Sequence, residues 1–376
     1  MKKFTFEVIH QSKKSRARVG KIHTPHGVID TPNFVPVGTN ATLKSIDSQV
    51  LENIGSQLIF CNTYHLILTP GPDIIKQAGG LHKFMNRSKP IITDSGGFQV
   101  FSLVYGGVHS EIKSKGTKKH DSSVLKINEE GVLFRSYRDG SKILLTPESS
   151  ISAQKSLGAD IMISFDELPP YHTAPNKLKH SLDRTHRWEK RSLDAHLQNP
   201  NNQALYAVIH GGLDFDLRKK SCNVLSQLPF DGYSIGGSLG KTREEMFDLL
   251  RFLMPHVPYD KPNHLLGIGD LSSLPTCIPL GIDTFDSSHP TRAARHGLLF
   301  TKNGQKRAVL SGHATMFRPI EDDCLCYTCT HYTLAYICHL FKSHELAAFT
   351  LATIHNLHFM NEFMAEYRRK ILNDEV

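Results

Sequence analysis

Three aspartates in this 376-residue chain each close a short apolar run: Pro90-Ile-Ile-Thr-Asp94, Ile161-Met-Ile-Ser-Phe-Asp166 and Ile282-Asp-Thr-Phe-Asp286. Carboxylates raised on separate elements and turned into one cleft are what cleavage at an anomeric carbon requires, one as nucleophile and another as acid/base. A strand-end aspartate also caps a following helix, so one alone decides little. Three of them, with Asp94 inside Thr93-Asp-Ser-Gly-Gly-Phe-Gln99, point to a site, because paired glycines let backbone approach a ligand closely. A second constellation is Cys324-x-Cys326-x-x-Cys329. Thiolates this close in a reducing compartment suggest zinc, which takes four ligands when its role is structural. Spacing leaves the fourth open among Cys338, His331, His339, His344, His355 and His358. A closed four-ligand site holds structure, since no position remains for water or substrate. Finally, Pro290-Thr-Arg-Ala-Ala-Arg295 places two arginines a few residues after Asp286, a pattern suited to phosphate contacts. The basic stretch from Lys177 to Arg191 reads instead as a solvated helix face.

The elements that must carry these groups repeat along the chain. Five further apolar runs resemble the three above: Phe34 to Gly38, Leu58 to Asn62, Leu205 to His210, Gly232 to Gly236 and His264 to Gly269. Near-continuous apolar runs suit strands buried on both faces of a parallel sheet. Helical periodicity lies between several of them, at Thr42 to Ile54, from Pro147 onward, at Lys177 to Leu197 and at Lys241 to Met254. Eight strand and helix pairs over about 250 residues match a (β/α)8 TIM barrel, with a doubly wound sheet as the rival. Residues 102–145, rich in Gly, Ser and Lys, read as an insertion. The expected division is a catalytic barrel over 1–303 and a zinc-binding subdomain with closing helices over 304–376. Barrel enzymes place reacting groups at the C-terminal ends of the strands, where all three aspartates fall.

Composition narrows the class. With 39% hydrophobic and 21% charged residues, wholesale disorder is excluded. No run of 18 apolar residues and no apolar leader core is present, so a cytoplasmic protein without a membrane span is expected. Seven cysteines, three of them crowded together, do not make a disulfide framework. The formal charge of +8 hints weakly at a polyanionic partner.

Taken together, Asn62-Thr-Tyr-His-Leu66, Thr93 to Gln99, Phe165-Asp-Glu167, Asp231-Gly-Tyr-Ser-Ile-Gly-Gly237, Phe285-Asp286 with Pro290-Thr-Arg292, and the cysteine cluster with His355 resemble the tRNA-guanine transglycosylase family, bacterial type. They run in family order over nearly the whole chain. The resemblance implies a TIM barrel with a zinc subdomain. It also implies exchange of guanine at the anticodon wobble position (position 34) of tRNA, in tRNAs with GUN anticodons, for the 7-deazaguanine base 7-aminomethyl-7-deazaguanine. No ATP or other nucleotide cofactor is needed. By resemblance Asp286 is the nucleophile and Asp94 the acid/base. Asp94, Ser95, Gly96, Gly97, Phe98, Asp166, His210 and Gly237 line the base pocket. Gly267, Ile268, Gly269, Asp270, Leu271, Ser272 and Ser273, with Thr291, Arg292, Ala293, Ala294 and Arg295, grip the anticodon loop. Cys324, Cys326, Cys329 and His355 hold one structural Zn2+ per subunit, and the enzyme is a homodimer. A covalent aspartyl-ribose intermediate gives ping-pong kinetics with retained configuration.

Some residues depart from the bacterial pattern. His210 stands where glutamine is usual, Leu168 and Ser287 where cysteine is frequent, and Ala294 where the arginine motif has glycine. The Gly236-Gly-Ser-Leu-Gly-Lys241 loop is one residue short and ends in lysine where glutamate is usual. These changes raise a second possibility, direct use of queuine. A barrel glycosidase or nucleosidase leaves the cysteines and arginines unexplained. A non-catalytic tRNA-binding subunit would lose motif residues, yet all three aspartates are present. An archaeal-type enzyme normally carries further C-terminal RNA-binding domains.

Overall fold

The computed structural model describes residues 4–105 and 124–376. The chain starts with an antiparallel sheet of β1 (Thr5–Gln11), β2 (Arg18–Thr24) and β3 (Gly27–Thr31). Three barrel strands follow, β4 (Asn33–Pro36), β5 (Ile59–Cys61) and β6 (Ile91–Thr93). A second antiparallel sheet of β7 (Val124–Ile127), β8 (Val132–Arg135) and β9 (Lys142–Leu145) interrupts the series. The barrel then resumes with β10 (Ile161–Ile163), β11 (Ala204–Ile209), β12 (Gly232–Ile235), β13 (Asn263–Leu265) and β14 (Thr284–Ser287).

The eight barrel strands pair in parallel in the order β4-β14-β13-β12-β11-β10-β6-β5. A Val37–Phe60 bridge and a 2.7 Å hydrogen bond from Gly38 N–H to the Phe60 carbonyl join β4 to β5 and close the ring. All eight apolar runs read from the sequence are barrel strands. Their side chains alternate between two cores. Val35, Phe60, Ile92 and Val208 pack in one cluster, together with Ile22 and Ile29 of the first sheet, which plug one end of the barrel. Ile59, Ile91, Leu205, Ala207 and Ile209 pack in the other, with the surrounding helices.

Differences from expectation have local causes. The helix expected from Thr42 begins only at Ser48, capped by Asp47, whose side chain accepts the Val50 N–H. Ala41 and Ser45 sit at positive φ and turn the preceding chain out of helix. The first sheet was not foreseen, because β1 is exposed or half-buried throughout and meets the polar run from Gln11 to Arg18. Of the interval expected as an insertion, 106–123 lies outside the described residues, and 124–145 forms the second sheet. That sheet packs Val132, Phe134 and Leu145 against Tyr64, Phe165 and Trp188, beside the strand end that carries Asp166. The strands β15 (Leu298–Thr301) and β16 (Gly304–Arg307) pair as an antiparallel hairpin. The last helix, Ala347–Leu372, packs along β4, β2 and the helix His289–Arg295. Its Asn356 amide donates to the Pro290 and Leu298 carbonyls and accepts from Phe300 N–H.

A buried ion pair fastens the first sheet to the barrel. Arg18 Nε and Nη2 lie 2.9 and 2.6 Å from the two oxygens of Asp283, which also accepts the Asn263 N–H at 2.8 Å. Both side chains are almost wholly buried. Removing one partner strands the other charge without water. Asp283→Ala should therefore lower the unfolding free energy by about 3–5 kcal/mol, read as a fall in the urea midpoint. A change within error would contradict this role.

Candidate active site and metal centre

Asp94 follows β6 directly and is buried. Its Oδ1 accepts N–H bonds from Thr63 (2.7 Å) and Gly96 (3.2 Å), and its Oδ2 accepts from the amides of Asn62 and Gln99, both at 2.7 Å. Burial disfavours the charged form and pushes the carboxyl up to about 6, while these four donors hold it from rising further. A carboxyl poised there exchanges protons near neutrality, which suits a general acid/base.

The Asp94 turn is built by its glycines. Gly96 has φ +83°, and a Cβ there would lie 3.3 Å from the Tyr64 nitrogen. A Cβ on Gly97 would lie 3.0 Å from the Asp166 carbonyl. Small residues thus let the Asp94 and Asp166 turns touch. Ser95 Oγ donates to Asp166 Oδ1 at 3.2 Å, and Ser150 fixes the Ser95 carbonyl at 2.7 Å. Phe98, on the following helix, keeps its ring half-exposed at the surface of this turn.

Asp166 Oδ2 lies 2.5 Å from His210 Nε2, which must donate because an ionised carboxylate only accepts. His210 Nδ1 faces the next turn, where a Cβ on Gly237 would come within 2.6 Å, so the φ of +77° at Gly237 has a packing reason as well as a steric one. Behind both turns sits Arg218, fully buried with no carboxylate at hydrogen-bond distance among the described residues. Its guanidinium donates to the carbonyls of Ile209, Gly212, Gly236 and Ser238 at 2.6–2.9 Å. Ser95, Asp166, His210 and Gly237 therefore form one connected wall of the mouth. At the departed positions, Leu168 is half-buried against the Phe165 and Trp188 cluster, and Lys241 Nζ lies 4.6 Å above the Tyr171 ring.

Asp286 rises from β14, on the far side of β4 and β5 from β6. Its Oδ1 accepts from Gly267 N–H at 2.7 Å and lies 3.0 Å from His264 Nε2. The residues expected at the RNA face divide by exposure. Gly267, Ser272 and Arg292 are exposed, and Ile268, Asp270, Leu271 and Arg295 are half-buried. Gly269, Ser273, Thr291, Ala293 and Ala294 are buried, so their side chains support the surface from beneath. Asp270 is itself engaged, with Ser273 Oγ at 2.7 Å and Arg243 at 3.1 Å.

Sequence reasoning missed His264 and Arg218. His264 hides inside an apolar run, and Arg218 looks like any basic residue of an amphipathic helix. Asn62 and Gln99 did lie within the motifs, without an assigned role.

The cysteine cluster converges. The Sγ atoms of Cys324, Cys326 and Cys329 lie 3.7, 3.6 and 3.4 Å from His355 Nδ1. A tetrahedral ion with bonds of about 2.3 Å to sulfur and about 2.0 Å to nitrogen spaces such ligands about 3.5 Å apart. The residues therefore fit a tetrahedral divalent ion. His355 Nε2 lies 2.7 Å from the Phe300 carbonyl, which makes Nε2 the protonated nitrogen and leaves Nδ1 to ligate. Among the candidates that spacing left open, His355 is the one that joins the cluster.

Among the described residues no helix is long and apolar enough to cross a membrane. A family model described as Queuine tRNA-ribosyltransferase matches residues 12–376. A queuine tRNA-ribosyltransferase of Protochlamydia amoebophila is 67% identical over 371 residues, covering 99% of this chain and 96% of that protein. Proteins of the same name from Chlamydia caviae and Chlamydia trachomatis are 54% and 52% identical over 372 residues, covering 99% of each chain. With its closed eight-stranded barrel and Cys3His cluster, the chain belongs to the queuine tRNA-ribosyltransferase family of glycosyltransferases.

Proposed function

We propose that this enzyme exchanges guanine at the wobble position of GUN-anticodon tRNAs for 7-aminomethyl-7-deazaguanine, through a covalent intermediate on Asp286. The observation that carries this is the unequal treatment of the mouth carboxylates. Asp94 is held at both oxygens and poised to exchange a proton, whereas the protein donors to Asp286 gather on Oδ1. Asp286 Oδ2 then attacks the ribose C1′ as guanine departs with a proton from Asp94. The incoming base returns that proton and displaces the aspartate. Two inversions give net retention. Asp166, steered by Ser95 and His210, accepts from the N–H edge of the base, while Gly237 N–H donates to its carbonyl. Phe98 offers a ring face for stacking. Arg292 and Arg295 meet the phosphates of a splayed anticodon loop.

A second reading, direct use of queuine, is favoured by Lys241. It puts a cation beside the Gly237 loop, where an acidic residue would better receive a primary ammonium arm. In either reading the Cys3His site holds zinc, which ties the cysteine turn to the last helix, and the remaining chemistry needs no nucleotide cofactor. Stacked and largely exposed rings of Tyr327, His331, Tyr332, Tyr336 and His339 form a strip suited to a second copy of the chain, consistent with a homodimer. We place the enzyme with its tRNA in the cytoplasm.

The direct test is displacement of labelled guanine from tRNA by each base, with Asp286→Ala alongside. Release by the aminomethyl base supports the first reading, release by queuine alone the second. Release by neither, or normal exchange by Asp286→Ala, would overturn the function proposed. The proton on Asp94 predicts opposite slopes in the two halves of the reaction. As pH rises through about 6, single-turnover guanine release should slow and discharge by the incoming base should quicken, and Asp94→Asn should flatten both. Cys326→Ala should abolish stoichiometric zinc, measured by elemental analysis, and lower the melting temperature. Unchanged metal content would refute the ligand set.

A further inference from the structure

Asp286 makes its protein hydrogen bonds through one oxygen. Gly267 N–H and His264 Nε2 both address Oδ1, and Oδ2 has no hydrogen-bond donor among the described residues. His264 is fully buried and stacks on Phe60, with ring centroids 5.8 Å apart and planes at 20°. Since a carboxylate only accepts, Nε2 carries the hydrogen that faces it. Thr284 Oγ1 lies 2.8 Å from Nδ1 and donates to the Asn263 carbonyl at 3.1 Å, so the imidazole is held at both of its nitrogens. Thr284, His264 and Asp286 therefore form one connected row.

We propose that His264 is a positioning residue that makes Asp286 a good leaving group, so that it governs discharge of the covalent intermediate more than its formation. The inference rests on the covalent reading above. In the first half, an Oδ2 electron pair forms the bond to C1′ and the bond from C1′ to the guanine nitrogen breaks. That pair stays with the base, which takes a proton from Asp94. In the second half, the incoming base gives its ring N–H proton to Asp94 and its nitrogen bonds C1′. The C1′–Oδ2 pair then returns to the carboxylate. Oδ1 shares the negative charge in the carboxylate and is an ester carbonyl in the intermediate. A donor on Oδ1 favours the charged form. The same bond that slightly restrains attack by Oδ2 thus speeds its expulsion. It also holds the carboxylate so that Oδ2 is the oxygen presented to the ribose.

The experiment uses the full chain, its tRNA and 7-aminomethyl-7-deazaguanine or guanine as the discharging base. His264→Phe keeps a buried ring against Phe60 without a donor, and His264→Gln keeps an N–H donor. Thr284→Val leaves the imidazole in place but removes the hydroxyl that steadies its Nδ1 side, which covers a failure of the phenylalanine variant to fold. Adduct formation and discharge are followed separately on denaturing gels. His264→Phe should discharge about 10- to 100-fold more slowly, the loss expected for one hydrogen bond to a charged group. It should accumulate adduct during turnover and bind tRNA as the parent does. His264→Gln should restore most of the discharge rate, and Thr284→Val should show a smaller slowing in the same direction. Equal slowing of formation and discharge, or parental discharge in folded variants, would overturn the proposal. If the parent enzyme forms no adduct, the covalent reading itself fails, and that result is distinguishable from the others.

Discussion

A carboxylate taken out of water must be given donors, and that requirement organises the mouth of this barrel. Each acid takes at least one of its donors from a neighbouring barrel segment, and Asp94 adds Gly96 and Gln99 from its own. Asp94 on β6 is held by Asn62 and Thr63 after β5, Asp166 after β10 by His210 after β11 and Ser95 after β6, and Asp286 on β14 by His264 and Gly267 of the β13 segment. Each acid is thus locked to an adjacent strand, so closure of the sheet into a ring is what fixes the chemistry. The three environments differ, and so do the roles they support: a desolvated carboxyl near neutrality, a carboxylate bridged by a histidine, and a carboxylate held at one oxygen.

Rigidity is supplied from outside the ring. The first sheet plugs one end and is pinned by Arg18 and Asp283. The second sheet backs the Asp166 turn through Phe165 and Trp188, whose rings stack at 4.9 Å. The last helix couples the cysteine turn to the barrel through two neighbouring residues, since His355 reaches the thiols and the Phe300 carbonyl while Asn356 reaches Pro290, Leu298 and Phe300. A metal bound there would therefore stiffen the segment that carries Arg292 and Arg295 as well as the cysteine turn.

Much of this was legible in the sequence, for physical reasons. Parallel barrel strands are buried on both faces, so they read as apolar runs, and every one that was read is a strand. The aspartates were visible because three carboxylates closing such runs, one of them beside paired glycines, are more than helix capping calls for. The cysteines were visible because thiols so closely spaced have few other uses. What stayed hidden is relational. His264 is a polar residue in an apolar strand, and its meaning depends on Asp286, 22 residues later. Arg218 is one of many basic helix residues until four carbonyls are seen around it. The expected RNA segment from Thr291 to Arg295 was read as one block, but helical periodicity buries Thr291, Ala293 and Ala294 and turns Arg292 outward. The first sheet escaped because strands with one wet face, broken by a polar loop, carry little apolar signal.

We propose that the mouth divides its labour among the three aspartates, with Asp286 Oδ2 as the atom that bonds the ribose. The most direct measurement is mass spectrometry of peptides from enzyme quenched during reaction with tRNA and then treated with nuclease. A ribose-phosphate mass is expected on the peptide containing Asp286, localised to that side chain by fragmentation. The same mass on Asp94 or Asp166, or no modified peptide despite ongoing base exchange, would contradict it.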